Sequence, residues 1–93
     1  PQHHPHQARI LTNLGTRLST RFKQTGSVDN LNRAVKVAEM AVDATPQNHP
    51  DRARWLSNLG NLLCKRFQRT GSIDDLNRAV GVGNMTVDAT RSP

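Results

Sequence analysis

The sequence predicts an all-α protein, an α-α superhelix (solenoid) of two 45-residue helical hairpins. Three observations carry that prediction. A shift of 45 residues lays 1–45 on 46–90 with 28 identities in 45 positions and no gap. Apolar residues recur every three or four positions in each copy, the period of an amphipathic helix. A Thr-Gly-Ser phrase stands inside each copy, Thr25-Gly26-Ser27 and Thr70-Gly71-Ser72, where one helix ends and another begins. A fixed period of this length is the mark of stacked supersecondary units. The copies divide as 1–45 and 46–93, one continuous array that reads as an excerpt of a longer protein.

The first helix of each hairpin is expected over 7–24 and 51–69. Its stripe is Ala8, Leu11, Leu14, Leu18 and Phe22 in copy one, and Ala53, Leu56, Leu59, Leu63 and Phe67 in copy two. Asn48 is the expected N-cap of the copy-two helix; Pro50 suits its first turn and Asp51 the positive end of its dipole. The second helices are expected over 28–44 and 73–89. Ser72-x-x-Asp75 has the form of a capping box, and Ile73, Leu76, Ala79, Val80, Val82 and Val87 supply the apolar positions that follow. Pro46 marks the end of the copy-one helix. Copy two has Gly81, Gly83 and Asn84 where copy one has Lys36, Ala38 and Glu39. Each glycine costs a helix interior about 0.8–1.0 kcal/mol relative to alanine, so the last helix is intrinsically weak.

Only 34% of the 93 residues are hydrophobic and three are aromatic, Phe22, Trp55 and Phe67. The core must therefore rest on Leu, Val and Ala in close contact. The net charge of +6 favours acidic partners or nucleic acid. A single cysteine, Cys64, excludes an intrachain disulfide and suits a reducing, cytoplasmic setting. No apolar run approaches the length of a membrane span. No phosphate loop, nucleophile elbow or paired-carboxylate motif is present, so no enzyme activity and no cofactor are expected. His3, His4 and His6 crowd the N-terminus without a second ligand cluster, which reads as a frayed end rather than a metal site. Cys64 likewise has no catalytic context.

Leu11-x-x-Leu14-Gly15-x-x-Leu18, followed by Ala34, Ala38, Ala41 and Pro46, resembles a tetratricopeptide (TPR) repeat, with Leu in place of the usual Trp and Tyr. The intervening segment is about two turns longer than in the common form. "HPDRARWLSNLG" is similar to the opening of the long kinesin-light-chain type. "RFQRTGSIDDLNRAV" and "AVDATPQNHPDRA" are similar to arrays of fungal proteins, some of them attached to NLR-like receptors. The resemblance covers essentially the whole chain. It implies a non-catalytic scaffold for protein–protein interaction, in which the first helices line a concave groove that holds a peptide or partner. As its finer reading, it implies a place in the ligand-sensing region of a fungal NLR-like receptor.

On that reading the groove residues are Asn13, Thr16, Thr20, Arg17, Asn58, Asn61 and Lys65. Asn13 and Asn58 precede the Leu-Gly pair, and an amide there offers a donor and an acceptor to an extended main chain. Equally, each Asn would bond a neighbouring helix and set the stacking. Thr12, Thr16 and Thr20 share one face with counterparts Ser57, Asn61 and Lys65, and vary between copies while the packing residues do not. Arg17, Arg21, Lys23, Arg66 and Arg69 form a basic belt, explained by the helix dipole or by an acidic ligand. Arg33 and Arg78 are expected to pair with Asp29 and Asp74 four residues earlier.

Two copies leave a stack unfinished. Leu11 and Trp55 on one side, and Val82 and Val87 on the other, are expected to stay open. The chain is therefore expected to form a homo-oligomer, by end stacking or by swapping of hairpins. A structural role without a separate ligand is the alternative to partner binding. Nucleic-acid binding through the basic face ranks below both, because few aromatics are available to stack on bases.

Overall fold

Both Thr-Gly-Ser phrases fold in the same way. The glycines take positive φ, 71° at Gly26 and 77° at Gly71, the left-handed conformation that closes a helix without a Cβ penalty. Their amides donate to the carbonyls of Phe22 and Phe67, each at 2.7 Å. The preceding threonine donates its hydroxyl back to its own helix, Thr25 to the Arg21 carbonyl and Thr70 to the Arg66 carbonyl, both at 2.8 Å. The same oxygens accept the amides of Ser27 and Ser72, at 3.2 and 3.3 Å. One short phrase thus ends a helix, reverses the chain and opens the next helix at a set angle.

The structure, a computed structural model, describes residues 5–47 and 49–91, with the side chains of residues 7, 9–47 and 49–88. Among these are four helices and no strand: α1 Pro5–Thr25, α2 Val28–Asp43, α3 Arg52–Thr70 and α4 Ile73–Arg91. Helix α1 packs on α2, α2 on α3 and α3 on α4, so the hairpins stack side by side as a TPR-like array. The expected helices correspond to these within two residues at each end. Asn48, His3 and His4 lie outside the described residues, as do the side chains of His6 and Ala8. Asp51 occupies the cap position of α3 without a side-chain cap bond. Its amide donates instead to His49 Nδ1 at 3.0 Å, so His49 belongs to the connecting turn. Ser72 does cap α4: its Oγ accepts the Asp75 amide at 3.4 Å. Ser27, in the same place before α2, makes no side-chain cap bond.

The core is one cluster centred on α2 and α3. Leu31, Ala34, Val35, Ala38 and Val42 of α2 meet Trp55, Leu56, Leu59, Leu62 and Leu63 of α3, with Leu18 and Val82 at either flank. Two residues expected at open ends are inside it. Trp55 is only 5% exposed, because copy one covers it. Val82 is buried because its Cγ1 reaches the backbone of α3, 3.5 Å from where a Cβ on Gly60 would stand. Leu11 is half-buried and Val87 is exposed.

The expected ion pairs within helices are replaced by pairs between elements. Arg78 bonds Glu39 across the junction, not Asp74, and no Asp29–Arg33 pair forms among the described residues. Both charges of that pair come from different hairpins, where their helices lie alongside. Arg66 grips Asp75 in a two-pronged ion pair, Nε to Oδ2 at 2.9 Å and Nη2 to Oδ1 at 2.8 Å. Its Nη1 also reaches Asn32 Oδ1 of copy one at 3.2 Å. This grip holds the Asp75 carboxyl below its usual range despite burial, which opposes it. Arg52 donates to the carbonyls of Val42 and Thr45 at 3.1 and 2.9 Å, satisfying acceptors that the end of α2 leaves over.

Gly83 has nothing within 4 Å of an added Cβ and sits mid-helix, whereas Gly71 holds a positive φ. Gly83→Ala should therefore stabilise the folded chain by about 0.8–1.0 kcal/mol and Gly71→Ala destabilise it by about 1–2 kcal/mol, read by urea unfolding. Asp75→Asn should cost roughly 2–3 kcal/mol at neutral pH. Because the folded pKa is depressed, that deficit persists above the ordinary carboxylate value of about 3.9 and closes as pH falls through the folded value. Unfolding curves of the two proteins across an acid series check it.

Candidate functional site

The side-by-side stacking leaves a cleft of about 220 Å³ between α1 and α3, with α2 beneath. Its α1 wall is the face Thr12, Gly15, Thr16, Ser19, Thr20 and Lys23; its α3 wall is Trp55, Asn58, Asn61, Leu62 and Lys65; Ala38 and Ala41 form the floor. The walls follow from helix periodicity. Positions 12, 16, 20 and 23 recur every three or four residues, as do 55, 58, 62 and 65, so each set shares one face.

The α1 hydroxyls are committed to their own helix. Thr16 donates to the Thr12 carbonyl and Thr20 to the Thr16 carbonyl, both at 3.0 Å, so each oxygen presents acceptor capacity to the cleft. At one end Lys65 Nζ reaches Ser19 Oγ at 3.3 Å. Burial, and then the neighbouring Lys23 ammonium, push the Lys65 amine below the ordinary lysine value. At the other wall the Trp55 indole Nε1–H is buried with no acceptor, alone in this among the described residues. An indole nitrogen can only donate. The cleft therefore gathers positive charge at its Lys23–Lys65 end, with Ala38 and Ala41 as floor. It fits a ligand that carries acceptor oxygens or negative charge.

Of the groove residues read from sequence, the fold brings Thr16, Thr20, Asn58, Asn61 and Lys65 to this cleft. Asn13 and Arg17 are exposed and do not line it. They stand where Asn58 and Leu62 stand in copy two, and that face of α1 has no hairpin before it in the structure. Arg66 and Arg69 of the basic belt turn to copy one, Arg69 Nη2 donating to the Gly26 carbonyl at 3.3 Å. The sequence reading missed Trp55 and Lys23 as cleft residues. Both were findable from spacing, Lys23 by continuing the Thr12, Thr16, Thr20 face and Trp55 by stepping back from Asn58. Among the described residues no three His, Cys, Asp or Glu side chains gather to hold a metal, and no helix is long and apolar enough to cross a membrane. Cys64 is exposed as a free thiol.

Comparison with known proteins agrees with this architecture. Residues 7–51, which comprise the α1–α2 hairpin and the turn after it, match the family model of the tetratricopeptide repeat. No curated protein and no solved structure matches the chain. The first hairpin is thus a tetratricopeptide-like repeat, and a near-duplicate of it 45 residues on packs at its side.

Proposed function

We propose that the chain is a non-catalytic protein-interaction module whose α1–α3 cleft takes an extended, acidic segment of a partner protein. What carries the reading is uncompensated positive charge in one cleft. Lys65 lies beside Lys23, burial and then that neighbour disfavour its charged form, and no lining residue is acidic. A carboxylate set between the two lysines relieves this. Asn58 and Asn61 supply amides along the α3 wall, and Thr16 and Thr20 supply hydroxyl acceptors along the α1 wall; Asn13 and Arg17 lie outside the cleft and take no part in this contact. Tetratricopeptide repeats generally bind proteins or peptides, which agrees with such a ligand. The repeats divide as 1–45 and 46–93. Their likeness to fungal NLR-associated arrays supports, as the finer reading, a ligand-sensing segment at work in the cytoplasm.

A second reading is self-assembly through the ends of the stack, by stacking or by hairpin exchange. Exposed apolar residues at both ends, Ile10 and Leu14 against Leu76 and Val80, favour it. Nucleic acid is a poorer match than either. Arg52, Arg66, Arg69 and Arg78 direct donors into the fold, Trp55 is buried, and Phe22 and Phe67 are half-buried.

Fluorescence anisotropy with a labelled oligoglutamate peptide tests the cleft. Binding is expected, with at least a tenfold loss in the Lys23→Glu, Lys65→Glu double variant at unchanged helicity. Equal affinity in the double variant, or tighter binding of a single-stranded oligonucleotide, would overturn the reading. The affinity should also fall as the buffer is made alkaline. Free Lys65 loses its proton below the ordinary lysine value, and bound anion holds that proton, so binding weakens as pH rises through the free value.

A further inference from the structure

We infer that the chain assembles head to tail with a second copy of itself: α3–α4 of one molecule docks on α1–α2 of the next, in the register that already joins the hairpins within the chain. This deepens the self-assembly reading above and rests on it. The interface is not hypothetical in kind, because the molecule contains one example of it. Residues that copy one buries on copy two, and copy two on copy one, have equivalents that are exposed among the described residues. Leu59 is 5% exposed, and its equivalent Leu14 is 41% exposed at the head. Val35 is 2% exposed, and its equivalent Val80 is 60% exposed at the tail. Ile10 against Trp55, and Leu76 against Leu31, behave alike.

The head and tail also differ from the internal junction. Inside the chain Ala38 and Ala41 floor the cleft whose α3 wall includes Trp55 and Leu62. In the continued stack their places pass to Gly83 and Thr86 on one molecule and to Ile10 and Arg17 on the next. Gly83 has nothing within 4 Å of an added Cβ in its own molecule, which leaves room for the next one.

The polar crossings carry over as well. Arg66 to Asn32 becomes Arg21 of one molecule to Asn77 of the other, with both residue types kept. Arg69 to the Gly26 carbonyl becomes Gln24 to the Gly71 carbonyl, and a glutamine amide still donates. Arg78 to Glu39 becomes Arg33 to Asn84, an ion pair reduced to a neutral acceptor. None of the side chains of Arg21, Arg33, Asn77 and Asn84 has a hydrogen bond among the described residues. The net charge of +6 opposes association, so the assembly should tighten as salt screens it.

Complementation by sedimentation velocity tests the register. Leu14→Asp spoils the head and Val80→Asp the tail, both at exposed positions, with helicity checked by circular dichroism. Each variant alone is expected to be monomeric at concentrations where the unaltered chain associates, and an equimolar mixture is expected to form a dimer. Asn84→Glu is expected to tighten self-association at least fivefold by giving Arg33 of the next molecule a carboxylate. A monomeric unaltered chain at all concentrations would sink both the self-assembly reading and this register. Association of the unaltered chain with either aspartate variant still dimerising alone, or with Asn84→Glu without effect, would overturn the head-to-tail register and leave self-assembly standing. Peptide binding in the cleft is measured separately and is unaffected by either result.

Discussion

How closely α2 can approach its two neighbours governs the rest of the molecule. It packs on both α1 and α3, and its inward positions Ala34, Ala38 and Ala41 are almost wholly buried. On the facing helices a glycine meets each second helix: a Cβ on Gly15 would stand 3.8 Å from the Ala34 carbonyl oxygen and the Val37 methyl. With three aromatics in 93 residues, a core built on large side chains was never available. Short contact distances replace bulk, because dispersion and the exclusion of water depend on close surfaces rather than on large residues. The same closeness brings α1 and α3 near enough to share a cleft, and the hairpins near enough for arginines to cross between them.

Those crossings change what the sequence's positive charge means. Arg52 caps the end of α2, Arg66 ties α3 to α4 and to α2, Arg69 reaches the first turn, and Arg78 meets Glu39. Arginine suits such roles because its planar fork satisfies two acceptors at once and it stays charged when partly buried. Four of the thirteen basic side chains are therefore joinery. Within the cleft Lys23 stands beside Lys65, with no acidic side chain among the lining residues.

The fold was readable because local signals agreed with one another. Apolar spacing, glycine stops and the duplicated phrase each pointed to helical hairpins, and sequence boundaries fell within two residues of the real ones. Of the site, the α3 wall was readable because Asn58, Asn61 and Lys65 follow one helical period. Trp55 was mistaken for an open-end residue because burial depends on which side the other hairpin occupies, and a one-dimensional pattern does not say. Val82 was misplaced for the same reason. Asp29–Arg33 and Asp74–Arg78 looked like pairs at helical spacing, but exposed pairs of that type are worth only a few tenths of a kcal/mol. A partner on another helix therefore displaces them easily, and Glu39 did so. Likewise Asn13 and Asn58 share a letter and a phase yet have different surroundings, because among the described residues only the second faces another hairpin.

The chain contains one tryptophan and no tyrosine. That lone indole sits at the seam of the two repeats, sealed from water and bordering the cleft. Its ultraviolet emission is consequently an intrinsic optical gauge of that seam. Separation of the hairpins exposes it and shifts the light to longer wavelength, while an occupant of the cleft alters brightness with the hairpins still closed, and neither signal requires an attached dye.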